Sequence, residues 1–143
     1  MSFDLKLING DFSLKNGQLE TAVDSEKLIQ DILKICLTPA GANPLHPEYG
    51  SFVSKTLIGS SLDPSIIIQI GKNQLSNCLE NLKRLQDMQV KSFQRVTADE
   101  QISAISNISV EISEVDPRLI NVSIRVISKG LKPLTARFKI NTI

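Results

Sequence analysis

The spacing of hydrophobic residues changes twice along this chain. Between residues 4 and 22 they stand in short runs, as with Phe12, Leu14 and Leu19 around Asn16-Gly17. Asn-Gly readily adopts the positive φ angles of a tight hairpin turn, so residues 1–23 read as a β-hairpin region. From Ser25 to Leu37 the period becomes helical. Leu28, Ile29, Ile32, Leu33, Cys36 and Leu37 recur at steps of three and four, which gathers them on one stripe for burial. Asp24 or Ser25 is placed to cap this helix, and Pro39 and Gly41 end it. A short helix over Ser51 to Ile58 would present Phe52, Val53, Leu57 and Ile58. A longer one starts at Asp63-Pro64, where Asp63 caps and Pro64 occupies a first turn that needs no N–H. Ile67, Ile70, Leu75, Cys78, Leu79, Leu82 and Leu85 hold its apolar face, and Gly71 marks a close packing point. Helices and a proline-rich loop thus fill 24–92.

The last third switches to period two. Ile108, Val110 and Ile112 alternate with Ser109 and Glu111. Ile120, Val122, Ile124 and Val126 alternate with Asn121, Ser123 and Arg125, and Leu134, Ala136, Phe138 and Ile140 with Thr135, Arg137 and Lys139. Three one-faced strands joined near Asp116-Pro117 and Lys129-Gly130 form an antiparallel meander within 100–143. Its apolar face needs a cover, which the amphipathic helices supply. The expected fold is a single α+β domain over 1–143: an N-terminal hairpin, then two to three helices packed on a three-stranded sheet.

Composition adds boundaries. With 143 residues, 41% apolar and 22% charged, the chain has the profile of an ordered domain with a core. No apolar run reaches the ~20 residues of a membrane span, and "MSFDLKL" lacks the features of a signal peptide. Cys36 and Cys78 fall on apolar helix faces and read as buried free thiols. Charge is uneven: residues 118–143 carry Arg118, Arg125, Lys129, Lys132, Arg137 and Lys139 and no acid. Such an end suits an acidic protein partner or nucleic acid, but Phe138 is its only aromatic, so it lacks a stacking platform for single strands.

The stretch "TPAGANPLHPEYGS" concentrates the only histidine, the only tyrosine and three of the six prolines. Pro44 and Pro47 stiffen it. His46 and Glu48 suggest acid–base chemistry, yet a glycosidase needs two carboxylates across a cleft and no second one lies nearby in sequence. Asp99-Glu100 is the only adjacent acidic pair, and neighbours entering a strand point to opposite faces. There is no GxSxG, no cysteine beside a histidine and no P-loop. The stretch therefore reads as a brace built from Pro44, Pro47, Glu48, Tyr49 and Gly50. In it Tyr49 buries its ring while its hydroxyl finds a partner.

The segment "GDFSLKNGQLETAVDSEKLIQDILKICLTPAGANPLHPEYGS" resembles the baseplate wedge, or sheath-initiator, family of contractile phage tails, with relatives in type VI secretion baseplates. The shared pattern is a Gly-Asp hairpin, a helix bearing Gln30, then Thr38, Gly41, Pro44, Pro47, Glu48, Tyr49 and Gly50. The later order of helix and three strands also fits. The resemblance implies a non-enzymatic structural part of the virion tail, assembled in the host cytoplasm in several copies, without cofactor or metal. Its implied partners are larger wedge proteins, the tail sheath protein and tube-proximal baseplate proteins, with neither nucleic acid nor membrane. It implies that the C-terminal sheet templates the first sheath layer by strand addition, through Arg125, Leu134, Arg137, Phe138, Lys139 and Ile140. The family's Glu-Pro-Arg wedge-core motif aligns with Asp99-Glu100-Gln101, where only the leading carboxylate persists. Asp116-Pro117-Arg118 is a lookalike between strands. A lysozyme activity has also been attached to this family, which makes a peptidoglycan-degrading enzyme the alternative.

Overall fold

A computed structural model of the chain describes residues 2–57 and 62–141. The N-terminal region is more elaborate than one hairpin. It has three antiparallel pairs: β1 (Asp4–Leu5) with β6 (Thr21–Ala22), β2 (Leu7–Ile8) with β3 (Asp11–Phe12), and β4 (Leu14–Lys15) with β5 (Gln18–Leu19). Asn9-Gly10 turns one inner hairpin and Asn16-Gly17 the other, all four residues at positive φ. At the junction the backbone bonds cyclically: Lys6 N–H to Glu20 O, Glu20 N–H to Ser13 O and Ser13 N–H to Lys6 O, each 2.9 Å. Three two-residue pairs thus share one closed hub, which compensates for the shortness of each ladder.

Helix α1 spans Asp24–Leu37. The side-chain cap expected from Asp24 or Ser25 is not made. The N-cap is Val23, Asp24 itself has φ of 50°, and its carboxylate accepts from Thr97 Oγ at 2.8 Å. Asp24 and Glu26 still place negative charge at the helix N-terminus, where the dipole favours it. Leu28, Ile32, Ile35 and Cys36 are buried, whereas Leu37, expected in the stripe, is 54% exposed. With Ile35 and Cys36 facing the core, the next residue lies about 100° further round the helix.

Helix α2 covers only Val53–Leu57. Val53 and Leu57 are buried, while Phe52, expected to face inward, precedes the helix and is exposed, with the Lys55 ammonium 5.7 Å from its ring centre. Ile58 lies outside the described residues. Helix α3, Pro64–Lys91, begins as anticipated: the Asp63 carboxylate accepts from Ser65 N–H at 2.9 Å, with Pro64 in the first turn. Gly71 is buried against the sheet. A Cβ there would stand 3.4 Å from Val110 Cγ1, so the missing side chain allows close approach.

The sheet is a meander of β7 (Ile102–Ile112), β8 (Leu119–Ser128) and β9 (Pro133–Asn141), in the order β7-β8-β9. Pairing runs Val110↔Val122↔Phe138 and Ile112↔Ile120↔Ile140. β7 extends well beyond the alternation visible at Ile108, Val110 and Ile112. Register shifts at Ile102/Ala104 and Ile105/Asn107 break its period, which hides that half from a period-two reading. Helix α3 lies on β7, α1 lies on β9, and the two helices touch each other. The core collects Leu28, Ile32, Leu75, Leu79, Ile102, Ile124 and Val126 between the layers.

Two buried glutamines join elements that no ladder joins. Gln86 on α3 donates from Nε2 to the Glu100 carbonyl (3.0 Å) and accepts Ile102 N–H at Oε1 (2.9 Å). Its amide bonds to the backbone as a neighbouring strand would, at the point where β7 begins. Gln30 on α1 does the same for the N-terminal ribbon, accepting Leu7 N–H (2.9 Å) and donating to Leu5 O (2.8 Å). Replacing Gln86 with Leu keeps the volume but leaves a buried N–H and C=O unpaired. The expected loss is about 2–4 kcal/mol of unfolding free energy in urea titration. A loss below about 0.5 kcal/mol would show that the clamp is dispensable.

Candidate functional site

Three places gather the residues singled out from the sequence. The first is the proline-rich loop, tied to the end of α1 and to α3. Ser51 N–H donates to Thr38 O at 2.8 Å, and Ala40 N–H to Ser51 O at 2.9 Å, forming an isolated parallel bridge between Pro39 and Ser51. Ser51 Oγ donates to the Cys36 carbonyl (2.7 Å), Gly41 N–H to Pro47 O (3.0 Å) and Asn81 Nδ2 to Glu48 O (2.8 Å). Gly50 sits where the two strands of the loop nearly touch. Its φ is 115°, and a Cβ would lie 2.5 Å from Thr38 O. Only glycine fits there.

Pro44, Pro47, His46 and Glu48 are exposed. His46 Nδ1 and Glu48 Oε1 are 3.8 Å apart, both open to solvent. Tyr49 is half-buried, and burial pushes its phenol upward despite the favourable charge of Lys34. Contrary to the expectation from sequence, its hydroxyl makes no hydrogen bond to the described residues. A cleft of about 390 Å³ opens between this loop and α3, lined by Glu48, Ser51, Cys78, Glu80, Asn81 and Arg84. Glu48 and Glu80 are both exposed to solvent.

The second place is Asp99-Glu100-Gln101, on a single 3₁₀ turn (Ala98–Glu100) directly before β7. Its side chains are largely engaged within the chain. Glu100 is 1% exposed; its carboxylate accepts Thr97 N–H at 2.7 Å and Ser2 Oγ–H at 2.8 Å. Gln101 is buried, donating to Thr97 O and accepting from Lys129 Nζ at 2.8 Å. Asp99 pairs with Lys132 at 2.7 Å, and a Cβ on Gly130 would collide with its carboxylate. The acidic turn and the β8–β9 turn therefore lock together. Asp116-Pro117-Arg118 lies in the β7–β8 turn, where Arg118 N–H donates to Asp116 Oδ1 at 3.0 Å.

The third place is the outer strand of the sheet. β9 pairs with β8 on one side, and no strand among the described residues pairs with its other side. β7 is open in the same way. The β9 side chains divide by face: Leu134, Phe138 and Ile140 pack toward the core, while Arg137 and Lys139 are exposed. Register sets Arg137 opposite Ser123 and Lys139 opposite Asn121, with Arg125 opposite Thr135. All three cations thus share the outer face, and Glu111, opposite Asn121, is the carboxylate closest in register.

No family model matches the chain, and no curated protein matches it. Among solved structures it is similar to a crystal structure named as a putative tail lysozyme from Geobacter sulfurreducens, at a TM-score of 0.66 and 10% identity, over 85% of this chain and 94% of that one. The two chains share a fold. That fold is α+β, with small antiparallel strands, then helices, then the three-stranded sheet.

Sequence reasoning passed over the network that fastens the N-terminal ribbon. Lys34 contacts Asp4 and lies 3.5 Å from Asp31, which pairs with Lys27 at 2.7 Å. Burial works against the charge on Asp4, but Lys34 and Gln30 outweigh it and hold the carboxyl below its usual range. Lys34 is likewise opposed by burial and raised above its usual range by Asp4 and Asp31. Asp4 therefore stabilises the fold above the ordinary carboxylate range, and that contribution disappears as pH falls through its lowered folded value. Lys34 contributes below the ordinary lysine value and loses its contribution as pH rises through the raised one. Asp4→Asn is expected to cost about 1 kcal/mol at neutral pH, with the gap from wild type closing in acid. Denaturant titrations across pH measure it, and a gap independent of pH would reject the charge pair as the cause. In the loop, Gly50→Ala is expected to cost about 2 kcal/mol or more, against less than about 0.5 for His46→Ala. Equal thermal stability of the two variants would remove the bracing role of Gly50.

Proposed function

We propose that this chain is a non-enzymatic component of a contractile-tail baseplate that accepts a strand from the first sheath layer. The observation that carries the reading is the β9 border. α1 packs on β9 of the antiparallel sheet, and no other described strand is paired with the outer side of β9. Such an edge accepts an extended segment of another chain through main-chain hydrogen bonds. Arg137 and Lys139 on the outer face, with Arg125 beside them, favour an acidic incoming segment. Leu134, Phe138 and Ile140 act from beneath, by holding the strand flat against the core. The fold shared with a protein named as a putative tail lysozyme supports the tail setting, as does the loop pattern from Thr38 to Gly50.

In this reading the helical side of the molecule seats on larger wedge proteins. The knot at Asp99, Glu100 and Gln101 shapes that contact by fixing the start of β7 and the turn at Gly130, since Glu100 and Gln101 themselves face inward. The protein then resides in the tail of the assembled particle, in several copies around the baseplate.

The lysozyme reading has one observation in its favour, the cleft in which Glu48 and Glu80 face the same space beside a fold shared with a putative tail lysozyme. Two experiments separate the readings. Reversing Arg137 and Lys139 to Glu should leave the monomer folded by circular dichroism yet abolish or strongly reduce sheathed tails in electron micrographs. Normal sheath assembly on such baseplates would reject the β9 edge as acceptor. The purified chain should release no more from peptidoglycan than Glu48→Gln does. Turnover by wild type that is lost in Glu48→Gln would establish the enzyme instead.

A further inference from the structure

Cys36 closes the last turn of α1, and Cys78 lies in the middle of α3. Their sulfurs are 3.6 Å apart in mutual hydrogen-bond contact, and both side chains are buried and unoxidised. A disulfide needs about 2.05 Å between sulfurs, so the pair must close by roughly 1.5 Å. The two positions are 42 residues apart. They sit where the two sheet-bearing helices meet, not on a mobile loop. Cys78 is among the residues lining the cleft beside Ser51 and Asn81, and it is 4% exposed.

The geometry points to a modification site: Cys36 and Cys78 form a latent disulfide that staples α1 to α3 when the folded protein meets an oxidising small-molecule disulfide. The reaction is two thiol–disulfide exchanges. Cys78, as thiolate, attacks one sulfur of oxidised glutathione. The glutathione S–S bond breaks, and one glutathione leaves as thiolate and takes up a proton. Cys36 then gives up its proton and attacks the Cys78 sulfur of the mixed disulfide, expelling the second glutathione. Two protein thiols are oxidised to one disulfide, and one oxidised glutathione is reduced to two thiols. The Cys78 hydrogen bond and burial both hold the proton on Cys36, the second thiol to react. Closing the loop restricts the unfolded chain while joining two helices already in contact, so the oxidised form is the more stable.

The test uses the full chain, folded, in glutathione buffers from fully reduced to fully oxidised. Intact mass spectrometry is expected to show the loss of two hydrogens as the buffer becomes oxidising. A digest should contain one linked peptide pair holding Cys36 and Cys78, and the melting temperature should rise by roughly 10 °C. Cys36→Ser is expected to stop at a persistent glutathione adduct on Cys78. Thiols that stay free at the oxidising limit would overturn the proposal, as would a glutathione adduct that persists in the wild type or a cross-linked dimer. The wild-type mass decides the matter even if a serine variant does not fold.

Discussion

A three-stranded sheet with one apolar face cannot stand in water uncovered, and in this molecule two helices cover it. α3 lies over β7, α1 over β9, and β8 is buried beneath both layers through Ile120, Val122, Ile124 and Val126. Most of the remaining structure serves that contact. Gly71 lets α3 approach Val110, and Cys36 and Cys78 fill the seam between the helices. The proline-rich loop returns the chain from the end of α1 so that α2 can pack on α3, which lies on β7. Burial is the source of stability, and the hydrogen bonds select one arrangement of the buried layers.

The polar clamps share one design. Gln30 and Gln86 each use a planar amide to meet a backbone N–H and a backbone C=O that no strand or helix would otherwise satisfy. Glu100 receives a backbone N–H and a hydroxyl, and Ser51 reaches the Cys36 carbonyl at a helix end. Backbone polar groups excluded from water need partners, and these side chains act at the junctions between elements. The open edges of β7 and β9 are the exception. No described strand is paired on the outer sides of these two strands, although Gln86 accepts the Ile102 N–H at the start of β7.

Much of the architecture was legible from spacing. The start of α3 follows from Asp63-Pro64, the three strands from strict alternation, and one hairpin from Asn16-Gly17. The failures have physical causes. Asn9-Gly10 turns strands as short as those around Asn16-Gly17, and the adjacent apolar pair Leu7 and Ile8 fits no simple alternation. β7 is longer than its pattern because two register shifts change which residues face inward. Leu37 counted toward the stripe because spacing alone cannot tell where a helix overhangs its core. The candidate site was legible only in part: Gly50 and the prolines stand out, whereas Gln86 and Lys34 look like ordinary polar helix residues until the chain folds back on them.

By itself, then, the sequence determined the elements and which face of each is apolar, because those depend on neighbours a few residues away. It also placed the stiff loop and the basic stretch over 118–143. Only the tertiary structure decided that Glu100 and Gln101 turn inward, that Asp24 serves Thr97 instead of its own helix, and that Cys36 meets Cys78. Those outcomes depend on segments 28 to 98 residues apart being brought together, as Lys129 reaches Gln101 and Ser2 reaches Glu100. No local pattern encodes such a distance, because burial of the sheet face, and not any single side chain, sets which segments meet.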